Sequence, residues 1–136
     1  MLKFLAKWSE QIWLAIMWSL ITLILLCLPG SVLPSHGLFS LPFIDKIAHL
    51  GLFGGLVFFW SLYYYFHRRP NIITARLSWT IVFCSFLFGV IMEFVQENFI
   101  PNRSFDVGDI IADLAGSLIG YLITHWYIRL QTVPKN

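Results

Sequence analysis

"LSWTIVFCSFLFGVIMEFVQENFIPNRSFDVGDIIADLAGSLIGYLITHWYI", residues 77–128, decides the fold. It opens on an apolar run, 77–92, that stops at Glu93. It closes on another, 114–128, that starts after Asp113. These runs are 16 and 15 residues long, and a bilayer core needs about 20 residues of helix. Neither run spans a membrane unless it carries its acids inside or into the interface. The segment therefore reads as two membrane helices that hold Glu93 and Asp113 within the bilayer, with Gln96 and Asp109 near its edge. Pro101, Asn102 and Ser104 mark a short turn-forming loop between them, at about 98–107.

The rest of the chain agrees. Its 136 residues are 58% hydrophobic and only 12% charged, where a soluble domain is about a quarter charged. That excludes most water-soluble folds, and the length suits one domain. A net charge of +2 is too small for a nucleic-acid partner. Residues 12–28, "IWLAIMWSLITLILLCL", carry no charge and lack a small-residue cleavage site after them. They read as a retained first helix that ends before Pro29-Gly30. A Pro-, Gly- and Ser-rich loop follows at 29–43, and a second helix runs from Ile44 to about Phe66. Trp8, Trp13, Trp60, Trp79 and Trp126 read as interface anchors, and Trp18 as a packing residue. Cys27 and Cys84 read as small packing residues rather than a disulfide or a metal pair.

The expected fold class is all-α, an integral membrane four-helix bundle over 11–128. A short segment, 1–10, precedes it and a tail, 129–136, follows. Lys3, Lys7, Arg68, Arg69, Arg76, Arg129 and Lys135 flank one side, and Lys46 and Arg103 the other. The excess of basic residues marks the cytoplasmic face. Both termini are then cytoplasmic, and loops 29–43 and 98–107 face outward.

Six of the seven acids, Asp45, Glu93, Glu97, Asp106, Asp109 and Asp113, lie toward that outer side at helical spacings. Residues three or four apart share a helix face, and ionisable groups inside a membrane mark functional sites. Lys46, His49, Gln96 and Arg103 join them. Glu97 and Asp106 are the weakest members, because the interface can solvate both. Lys46 can snorkel to the headgroups, and Arg103 with Asp106 or Asp109 can cap the last helix. Ala112, Gly116 and Gly120 form one small-residue stripe, and Gly51 and Gly55, with Gly54 beside them, another. Such stripes let membrane helices approach closely, inside one bundle or across a homodimer seam.

"DKIAH" at 45–49, "MEFVQENFIPNR" at 92–103 and "DIIADLAGSLIGYL" at 109–122 together resemble the VanZ-like family of small bacterial membrane proteins. The resemblance covers about residues 40–123. It matches Asp45, Lys46, His49, Glu93, Gln96, Pro101, Arg103, Asp109 and Gly116. The family often has Asn where this chain has Asp113. The resemblance implies a link to glycopeptide (teicoplanin) resistance and a place in the bacterial cytoplasmic membrane.

The first reading is an outward-facing pocket for an anionic envelope lipid or a glycopeptide-related ligand. Lys46 and Arg103 hold the anion, and Gln96 and Asp113 orient the site. Asp45, His49, Glu93 and Asp109 form the catalytic or metal-binding group. The metal candidates are His49, Glu93 and Asp109, for a divalent ion. Three alternatives stand beside it. They are a metal-assisted hydrolase or transferase on a lipid-linked substrate, a dimeric proton-coupled transporter, and a bundle with polar residues as glue.

Overall fold

The computed structural model describes residues 12–32, 43–67 and 75–132. Among them are four α-helices: α1 (Ile12–Leu26), α2 (Ile44–His67), α3 (Ala75–Phe99) and α4 (Val107–Thr132). A 3-10 turn, Gly30–Val32, follows α1. Pro29 and Pro101, the prolines among the described residues, fall outside the helices, since proline inside a helix removes a hydrogen bond and clashes with the preceding turn.

Three helices are long and apolar enough to cross a membrane, over Ile44–His67, Leu77–Phe99 and Val107–Leu130. At about 1.5 Å per residue each covers roughly 35 Å, more than the ~30 Å hydrocarbon core. The last two take in Glu93 and Asp113, as the run lengths require. The described part of α1 has 15 residues, or roughly 22 Å. It ends at Leu26, two residues before the end expected at 28. The outward surface is apolar: Trp13, Ile24, Phe83, Ile91, Leu122 and Trp126 are each more than half exposed. Such a continuous apolar exterior belongs in lipid. This is a membrane protein.

The tightest seam joins α2 to α4. A methyl on Gly116 would run into the Leu50 carbonyl, and one on Gly120 into the Gly54 carbonyl. One on Gly54 would lie 3.1 Å from the Gly116 carbonyl oxygen. Backbone meets backbone here, so Gly54, Gly116 and Gly120 are used within the chain. Gly51 departs from this pattern, with nothing within 4 Å of an added methyl.

α1 leans on α2 through Trp18. Its indole lies against Gly55, and its Nε1 donates to the Leu52 carbonyl at 2.9 Å. Trp60, expected as an interface anchor, instead donates to Ser19 Oγ at 3.0 Å. Trp13, Trp79 and Trp126 are exposed as expected, whereas Trp8 lies outside the described residues. The core beneath the site gathers Leu26, Leu52, Phe53 and Met92. Cys27 and Cys84 are both free. Lys3, Lys7, Arg68, Arg69, Lys135 and most of loop 29–43 lie outside the described residues, as does the Arg76 side chain.

Candidate functional site

One end of the bundle brings together the C-terminal ends of α1 and α3 and the N-terminal ends of α2 and α4. The Gly30 amide donates to the Pro101 carbonyl at 3.1 Å. A methyl on Gly30 would run into the Asn102 carbonyl. Asn102 has φ 59°, a left-handed backbone that asparagine tolerates better than most residues.

Asp106 caps α4. Its Oδ1 accepts from the Gly108 amide at 2.6 Å, satisfying one of the donors that a helix start leaves free. Its own amide donates to Glu93 Oε2 at 2.9 Å. The cap is thereby tied to α3. The Lys46 ammonium against Asp106, and after it the Gly108 amide, holds the Asp106 carboxyl below the usual carboxylate range.

The cations are spent on carboxylates. Lys46 Nζ donates to Asp106 at 2.5 Å and to Asp109 at 3.1 Å. It bridges two acids instead of snorkelling away. Arg103 Nη1 donates to both oxygens of Asp45, at 3.2 and 3.1 Å. Arg103 therefore reaches across to α2 and does not cap α4, whose cap is Asp106. A guanidinium has five donors, and the Arg103 Nε is buried with no partner.

Deeper in, His49 Nδ1 donates to Asp113 Oδ1 at 2.9 Å, with both side chains almost wholly buried. Phe53 stacks on the His49 ring, 6.3 Å away and 5° from parallel. Gly89 makes room for this pair, since a methyl there would run into Asp113 Oδ2. Glu93, Gln96, Asp109 and Asp113 are all buried. Gln96 turns away from the charged groups. Its Nε2 donates to the Leu26 carbonyl at 2.9 Å, satisfying a carbonyl that the end of α1 leaves open.

Eight expected site residues thus converge at one end of the bundle: Asp45, Lys46, His49, Glu93, Gln96, Arg103, Asp109 and Asp113. Seven surround the charged cluster, and Gln96 clamps α1 beside it. Asp106, which the interface could have solvated, is central to the ion pairs. Glu97 is exposed. The metal-ligand geometry gathers Asp45, His49 and Asp109, with one donor atom of each within 4.8 Å of the others. Asp45 stands there where Glu93 was expected. Gly89 is not among the expected site residues, although its spacing of four from Glu93 puts the two on one helix face.

A groove of about 470 Å³ runs along α1 and α2 to this cluster. Trp18, Leu26 and Leu52 line its apolar length, and Asp45, His49 and Arg103 its polar end. A second cavity, of about 460 Å³, is lined by Leu20, Leu56, Trp60, Leu77 and Phe88 among others, with no charged residue in its wall.

A family model described as VanZ/LLP1 matches residues 2–128. No curated protein and no solved structure matches the chain.

Proposed function

The chain belongs to the VanZ/LLP1 family, and from that premise we propose that it binds an anionic envelope lipid at the polar end of its bundle. The observation that carries this reading is the groove, which joins an apolar wall to Asp45, His49 and Arg103. An amphipathic ligand matches both parts, with an acyl chain along Trp18 and Leu52 and a headgroup at the cluster. Arg103 supplies the anion contact. Its Nε is buried and unpartnered, and guanidinium groups bind phosphate through paired donors. Asp45, His49, Glu93 and Asp109 serve the headgroup as acid/base or ion-binding groups. Lys46 and Asp113 hold that set in place, and Gln96 fixes α1 as one wall of the groove. Any effect on glycopeptide resistance is exerted, in this reading, through the bound lipid.

The site end faces outward from the bacterial cytoplasmic membrane, with both termini inside. The Lys and Arg distribution supports this orientation. Lys46 and Arg103, the two basic residues at the opposite end, are both ion-paired. Reporter fusions at residues 36 and 102 are expected to signal from the extracytoplasmic side; a cytoplasmic signal from either would overturn the orientation.

Lipid preference tests the headgroup contact. Purified protein is exchanged into mixed micelles of phosphatidylglycerol and phosphatidylcholine, and retained lipid is read by native mass spectrometry. The wild type is expected to favour phosphatidylglycerol. Arg103→Gln should cut that preference by about tenfold, the worth of one charged hydrogen bond. An unchanged preference would remove Arg103 from the headgroup site.

A further inference from the structure

We infer that Asp45, His49 and Asp109 hold a divalent transition-metal ion, with Asp113 as the residue that orients His49. The inference goes beyond lipid binding and stands or falls without it.

Three observations support the site. One donor atom from each of the three residues lies within 4.8 Å of the others. Donors sharing an ion at bond lengths of about 2.1 Å stand roughly 3–3.5 Å apart. Small side-chain rotations therefore suffice to close the set. Secondly, His49 is arranged as a metal ligand. Its Nδ1 is committed to Asp113 at 2.9 Å, and its Nε2 is buried with no partner. A carboxylate on one imidazole nitrogen fixes the tautomer and leaves the other nitrogen for an ion. The stacked Phe53 ring holds the imidazole in plane.

The third observation is charge. Among the described residues, Asp45, Glu93, Asp106, Asp109 and Asp113 gather around only Lys46, Arg103 and an imidazole. Glu93, Asp109 and Asp113 are buried inside membrane spans, where uncompensated charge is expensive. A divalent cation offsets that excess. Lys46 and Arg103 bind the outer two ligands, Asp109 and Asp45, and so position them as hydrogen-bonded partners of metal-bound carboxylates commonly do. One imidazole with two carboxylates favours a transition ion such as Mn²⁺ or Zn²⁺ over Mg²⁺ or Ca²⁺.

The test uses the full chain in detergent, stripped with chelator and dialysed against Mn²⁺ or Zn²⁺ alone. One ion per chain is expected. His49→Ala and Asp109→Asn should each weaken binding by at least about tenfold, the effect typical of changing a metal's immediate surroundings. Cys27→Ser with Cys84→Ser should leave it unchanged. Pulsed electron paramagnetic resonance of Mn²⁺ on the wild type should show a directly bound imidazole nitrogen, a readout independent of whether any variant folds. Absence of saturable binding, binding indifferent to both ligand variants, or bound Mn²⁺ without a nitrogen signal would each overturn the site. Phosphatidylglycerol retention by the stripped protein is measured in parallel. Loss of the metal result with lipid retention intact rejects the ion alone, and the converse rejects the lipid alone.

Discussion

Gly116→Val is expected to cost about 3 kcal/mol or more of bundle stability, the upper end of what overpacking costs. The reason is the identity of the obstructing atom. A side chain at 116 runs into the Leu50 carbonyl, which is backbone in the middle of a helix and has no rotamer to change. α2 and α4 must then move apart. The same seam holds Gly54 against the Gly120 position, so separation at one crossing loosens the next. Membrane helices associate through close packing rather than a hydrophobic force between them, which leaves little to offset the loss. The separation also pulls His49 and Lys46 on α2 away from Asp113 and Asp109 on α4. Denaturant titration in detergent checks the prediction; a midpoint like that of the wild type would mean the seam is not the close contact described.

The bundle was legible in the sequence because bilayer thickness is a hard constraint. Two apolar runs too short to span had to take in Glu93 and Asp113, and the spans do so. Helical spacing also placed the polar residues on shared faces, which is why the expected residues meet at one end of the bundle. Spacing says nothing about which side chain a group reaches across the bundle. Arg103 pairs with Asp45 rather than with an acid near it in the chain. Gln96 finds a carbonyl 70 residues away. Asp106 became central because loop 100–106 folds back so that it caps α4, meets Lys46 and binds Glu93 at once. α1 ends at Leu26, although the apolar run continues to Leu28.

The pairings change how the site is understood. Lys46 and Arg103 are not a bare cationic cradle, because each already binds carboxylate. What remains unpaired is the buried Arg103 Nε, beside the polar end of an apolar groove. In the lipid-binding proposal, recognition of the headgroup then depends on the acyl chain that comes with it. A soluble anion lacks the apolar half of the contact.

Gly51 offers the most direct test of this central claim. It lines the groove, yet nothing lies within 4 Å of a methyl built on it. Gly51→Leu therefore fills the groove without disturbing the seam, and replacing a mid-helix glycine should raise helix stability by up to about 1 kcal/mol. Stability and ligand binding are predicted to move in opposite directions. The measurement is phosphatidylglycerol retention by Gly51→Leu beside its unfolding midpoint. A midpoint equal to or above that of the wild type is expected, with lipid retention reduced by more than about tenfold, or about 1.4 kcal/mol. Full lipid retention in a stably folded Gly51→Leu protein would contradict it.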